Sequence, residues 1–150
     1  MGKYKLPEDF KEFIQCLNAN NVKYLLVGGW AVGIYGNPRA TKDIDFLISK
    51  DNKNLYNLDK ALAEFGAPPL DINELSVKGN GVRFGQSPLM VEIINDASGI
   101  DIENCYARRE IISVDSFEIS VISKKDLIIN KKAAGRLRDL ADVEILESSS

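Results

Sequence analysis

The stretch V27-G-G-W-A-V-G-I-Y-G-N-P-R-A-T-K-D-I-D-F-L-I48 decides how the chain is read. It leaves an apolar strand at Val27, passes a glycine pair and a short apolar segment, and crosses a turn with Gly36 and Pro38. It then enters a second strand through Asp43-Ile44-Asp45. Residues i and i+2 of a strand share a face, their Cα atoms roughly 6.6 Å apart. Asp43 and Asp45 therefore project together, while Ile44 and Phe46 face the opposite, buried side. Paired carboxylates repel unless a positive group lies between them, and a divalent cation is the usual solution. Oxygen donors beside phosphates favour Mg²⁺ or Mn²⁺ over softer metals. An Asp-x-Asp at a strand mouth also serves as a solvated edge or a capping pair. The glycines carry a similar choice. A strand that ends in Gly28-Gly29 and opens a helix presents free backbone N–H groups and the positive end of a helix dipole to an anion, and it also makes an ordinary tight turn. No GxxxxGK[ST] or GxGxxG accompanies it.

Outward from this stretch, hydrophobic spacing predicts a helix over Pro7–Asn18, with Phe10, Phe13, Ile14 and Leu17 on its inner face. Another is expected over Asn54–Phe65, with Leu55, Leu58, Leu62 and Phe65 inward. After G66-A-P-P-L70 come extended pieces at Leu75–Lys78, Val82–Phe84 and L89-M-V-E-I-I-N95. Ile111–Val114 and Phe117–Ile122 flank Asp115-Ser116 as a tight hairpin. From Ser123, one long helix over about 123–147 is expected, with Ser123 as N-cap, Asp126 at a capping-box position, and Gly135 as a cost or kink. The order implies an α/β (α+β) chain with a mixed twisted sheet flanked by helices. At 150 residues the chain suits one domain with its own core.

Composition narrows the chemistry. The chain is 45% hydrophobic and 27% charged, the mixture of a globular protein. Its apolar runs are far below spanning length and no signal-peptide core follows Met1, so the cytoplasm is the default compartment and no membrane partner is expected. With no histidine, triad chemistry of the Ser-His-Asp or Cys-His kind is excluded, and acid/base or metal work falls to carboxylates, lysine or tyrosine. Cys16 and Cys105 lack the spacing of a zinc site. A net charge of -3 and a pI near 5.1 argue against nucleic-acid binding over the whole surface, but leave room for a basic groove. The tyrosines show no platform spacing with basic residues, Arg108-Arg109 reads as surface, and Trp30 reads as core.

The combination of Gly28-Gly29 with Asp43-x-Asp45 resembles the nucleotidyltransferase superfamily of the DNA polymerase β type. More narrowly, the stretch is similar to a small bacterial branch that includes lincosamide nucleotidyltransferases and abortive-infection type nucleotidyltransferase toxins. Arg39, Thr41, Asp43 and Asp45 supply that branch's Arg-x-[Thr/Ser]-x-Asp-x-Asp string. The resemblance implies a third carboxylate on a neighbouring strand. Glu92, the lone acid of its apolar strand, is the first choice and Asp96 the second; an edge-strand glutamate facing water is the alternative. Lys131, Arg136, Asp139 and Asp142 are similar in order to the toxin-like branch's last motif, where the lysine is taken to contact the triphosphate. The same residues could also form a solvated face joined by ion pairs such as Arg136 with Asp139 and Arg138 with Asp142.

The resemblance implies a Mg²⁺-dependent (or Mn²⁺-dependent) transfer of a nucleoside monophosphate from ATP or another NTP to an acceptor hydroxyl, with pyrophosphate leaving. Metal would be held by Asp43, Asp45 and Glu92. The triphosphate would be held by Gly28, Gly29, Arg39, Thr41, Lys42, Lys131 and Arg136. The acceptor would be a tRNA or other RNA end, a protein side chain or a small molecule, recognised by the later strands, the last helix, a second subunit (a homodimer) or a partner protein. A toxin–antitoxin role follows from the same branch. A nucleotide-binding or antitoxin-like module without transfer, and an interaction protein with structural carboxylates, are the alternatives.

Overall fold

The computed structural model describes residues 6–36, 43–86 and 89–148. Arg39, Thr41 and Lys42 lie outside the described residues. Helix α1 (Glu8–Ala19) leads to β1 (Tyr24–Val27), α2 (Gly28–Tyr35), β2 (Asp43–Ile48) and α3 (Asn52–Phe65). A 3-10 turn (Ile72–Ser76) precedes β3 (Gly81–Gln86) and β4 (Leu89–Ile94), then α4 (Ile102–Ala107), β5 (Glu110–Val114), β6 (Phe117–Val121), α5 (Lys124–Ala134) and α6 (Leu137–Ser148). The six strands form one mixed sheet in the order β3-β4-β2-β1-β6-β5, flanked by helices. β1 runs antiparallel to β2 and parallel to β6, while β2 runs parallel to β4.

Periodicity explains the layering. The α1 stripe Phe10, Phe13, Ile14 and Leu17 is buried, and Phe13 meets Phe46, Phe65 and Phe84 edge-on at ring-centroid distances of 5.5, 5.2 and 5.5 Å. Each such side chain contributes about 1.5–3 kcal/mol on burial. Trp30 is core, edge-on to Phe10 at 6.0 Å. Because Ile44, Phe46, Val82, Phe84, Val91 and Ile93 fill this layer, their alternating neighbours Asp43, Asp45, Arg83 and Glu92 share the other face. Both cysteines are free thiols, and Cys105 is buried. Among the described residues no helix is long and apolar enough to cross a membrane.

The structure departs from the periodicity reading in three places. Leu75–Ser76 belongs to the 3-10 turn, started by the Asp71 side chain accepting from the Asn73 N–H at 3.1 Å. Helix α4 occupies a segment whose polar composition hid it, with Asp101 as its N-cap. The long C-terminal helix is two: Gly135 adopts a left-handed φ of 69° and ends α5, so α6 starts afresh. Ser123 caps α5 as expected, but the Asp126 carboxylate does not complete the capping box. It receives both Nε and Nη2 of Arg108 at 3.0 Å, so Arg108 anchors a buried acid.

Candidate active site

The site forms where β1 ends. Val27 lies in register with Asp45, and Asp45 with Glu92 on the parallel strand beyond. The chain turns into α2 at Gly28, whose φ is 71°. A Cβ built there would lie 2.2 Å from Asp45 Oδ2, so the glycine is required by both the backbone conformation and the carboxylate beneath it. Val27, at the N-cap of α2, offers no side-chain hydrogen bond to the first turn, where the N–H groups of Gly28 and Gly29 begin the helix.

Asp43, Asp45 and Glu92 line one cavity of about 600 Å³ together with Gly28, Gly29, Lys131, Arg136, Asp139 and Asp142. The two motif groups, some ninety residues apart in sequence, thus meet in space. Asp96 lines other cavities, with Lys78 and Asp101, whereas Glu92 shares the cavity of Asp43 and Asp45. Asp45 is the electrostatically stressed member. Burial, the charges of Glu92 and Asp43, and a hydrogen bond with Glu92 push its carboxyl up to about 7, against an opposing pull from Lys131.

Arg83, which the sequence pattern had not brought forward, stands opposite Glu92 in the β3–β4 register. Its Nη2 is 3.5 Å from Asp43 Oδ2 and its Nε 3.9 Å from Glu92 Oε2. The lone charge between buried Val82 and Phe84 was a signal, but only the register says which residues it faces.

The C-terminal residues form a buried ion cluster instead of a solvated face. Asp139 and Asp142 are 0% and 4% exposed. Lys131 Nζ lies 3.0 Å from Asp142 Oδ2 and 3.4 Å from Asp139 Oδ1. Arg136 donates to Asp139 through Nε at 2.6 Å and through its backbone N–H at 3.2 Å, the latter a cap on the new helix. The Arg136 hydrogen bonds outweigh burial and hold the Asp139 carboxyl below the usual range. Arg138 lines the cavity as well. Just beyond α4, Arg109 lies over the ring of Tyr106 on that helix, 3.9 Å from its centroid, so this tyrosine does have a cationic neighbour that sequence spacing did not reveal.

Among the described residues no three acidic or cysteine side chains close into a ready-made metal cage. The donor chemistry nevertheless fits a hard cation: the cluster supplies oxygen ligands, and after burial the neighbouring Glu92 and Asp43 charges raise Asp45 further.

A search of curated proteins finds no match. Among solved structures, the lincosamide antibiotic adenylyltransferase LnuA, in its lincomycin-bound crystal structure, has a similar fold with a TM-score of 0.61 and 15% identity, covering 98% of this chain and 99% of that one. A candidate nucleotidyltransferase from Thermotoga maritima, TM1012, gives a TM-score of 0.62 and 13% identity, covering 96% of this chain and 94% of that one. These likenesses establish a nucleotidyltransferase-like fold. The family model described as "Nucleotidyltransferase of unknown function (DUF6036)" matches residues 5–148, nearly the whole chain, and the protein belongs to that family.

Proposed function

We propose that this protein transfers a nucleoside monophosphate from an NTP to an acceptor hydroxyl and releases pyrophosphate, with Mg²⁺ or Mn²⁺ held by Asp43, Asp45 and Glu92. The observation that carries this reading is the row Val27–Asp45–Glu92, which sets two carboxylates, the raised Asp45 among them, beside the Gly28-Gly29 turn. When bound, the cation neutralises phosphate oxygens and lowers the pKa of the acceptor hydroxyl.

The chain's own groups divide the remaining work. The N–H groups of Gly28 and Gly29 receive phosphate oxygens, and Gly28 leaves Asp45 its space. Lys131, fixed by Asp139 and Asp142, presents a positioned positive charge to the triphosphate. Arg136 supports this arrangement through Asp139, and Arg39, Thr41 and Lys42 complete the phosphate contacts. Asp43, Asp45 and Glu92 set the position of the reacting phosphorus relative to the acceptor. The acceptor is an RNA end, a protein side chain or a small-molecule hydroxyl. LnuA, an antibiotic adenylyltransferase of nearly equal coverage, supports the view that a fold of this size can serve both substrates.

Calorimetry with ATP, CTP, GTP and UTP, with and without Mg²⁺, tests the reading. Metal-dependent binding of at least one nucleotide is expected, and none with any of them would sink it. Pyrophosphate release in a cell extract containing labelled nucleotide then separates transfer from binding alone. The size class that becomes labelled identifies the acceptor.

A further inference from the structure

We propose that Arg83 is a positioning residue for the carboxylate cluster: in the metal-free protein its guanidinium holds Asp43 and Glu92, and a divalent cation displaces it on binding. This rests on Asp43, Asp45 and Glu92 being the metal ligands.

The sheet register puts Asp45, Glu92 and Arg83 in one row across β2, β4 and β3. From β3, the Arg83 side chain passes Glu92 on β4 and reaches Asp43 on β2. Buried Val82 and Phe84 fix its backbone from the other face. Its side chain is 54% exposed, so the head group can move into water without unpacking the core. Two other cations that line the cavity have acidic partners on α6. Lys131 lies against Asp139 and Asp142, and Arg136 is bonded to Asp139. A guanidinium does not lose its proton in a protein, so it contends with an incoming cation for the same oxygens at every working pH. Arg83 thereby sets how much divalent cation is needed to load the site, and it holds two mutually repelling acids in place until then.

Titration of the full-length chain with Mn²⁺ by calorimetry, without nucleotide, tests this. Arg83→Gln removes the charge at similar length and Arg83→Ala removes the side chain; both are expected to bind Mn²⁺ more tightly, by on the order of tenfold. Arg83→Lys keeps the charge and is expected to stay near the unmodified protein. Thermal melts confirm that each variant is folded, and either neutral variant suffices if the other is not. Unchanged or weaker Mn²⁺ binding in the folded neutral variants would overturn the role of Arg83 while leaving the metal assignment standing. No Mn²⁺ binding by the unmodified protein or any variant would overturn the metal assignment, and this role with it.

Discussion

Replacing Asp45 with Asn is expected to stabilise the metal-free protein while abolishing transfer. The Asp45 carboxyl moves from 3.8 to about 7 on folding, chiefly through burial and then through Glu92 and Asp43. At about 1.4 kcal/mol per tenfold change in acidity, ionising it in the folded state costs at most roughly 4 kcal/mol. Water at the cavity mouth and side-chain relaxation reduce this, so about 1–3 kcal/mol is the working expectation. For a chain of this length that is a rise in Tm of a few to about ten degrees. The sign follows from proton counts. Between pH 4 and 7 the folded protein holds a proton on Asp45 that the unfolded chain has lost, so this residue's stability contribution is full below about pH 4 and lost as pH rises through 7. Asn has no such dependence.

The assay is a pair of thermal melts in EDTA. The variant should match the unmodified protein near pH 4 and exceed it at pH 8. Saturating Mg²⁺ should narrow the gap, because only the unmodified protein gains from binding the cation. A variant that melts lower at pH 8, or by the same margin at both pH values, would refute the claim that Asp45 is a strained ligand. It would make the residue an ordinary structural acid.

Two further experiments probe the frame. Gly28→Ala should lose at least about 2 kcal/mol through its left-handed φ and displace Asp45, ending metal-dependent nucleotide binding. Gly135→Ala, whose Cβ meets nothing closer than 3.7 Å, should cost only about 1 kcal/mol and leave nucleotide binding intact. Melts and calorimetry on the two variants separate a steric demand from a purely conformational one. Lys131→Met removes the cation 3.0 Å from buried Asp142 and should cost about 3 kcal/mol, while Arg136 still serves Asp139. Adding Asp142→Asn should recover part of that loss; strictly additive losses in denaturant melts would show that the pair is not coupled.

Much of the fold was legible because burial enforces period. Phe10, Phe13, Ile14 and Leu17 had to share a helical face, and Ile44 and Phe46 had to oppose Asp43 and Asp45 on a strand. The glycine pair and the two aspartates could be read as one site because strand, turn and strand are consecutive. What sequence withheld was register. Nothing local sets Glu92 beside Asp45 or Arg83 across from Glu92, since those pairings depend on how β3 and β4 enter the sheet. The C-terminal segment shows a subtler limit. A spacing of four, four and three along an unbroken helix predicts one stripe for Lys131, Gly135, Asp139 and Asp142. The chain instead breaks at Gly135, and Lys131 still reaches both acids. The break serves the site. Ending α5 at a left-handed residue lets Asp139 cap α6 through the Arg136 N–H while its other oxygen faces Lys131. One carboxylate thus joins the start of a helix to the lysine that lines the cavity. Burial of both acids is then explained by the lysine they hold in place, a role that a solvated row of ion pairs could not fill.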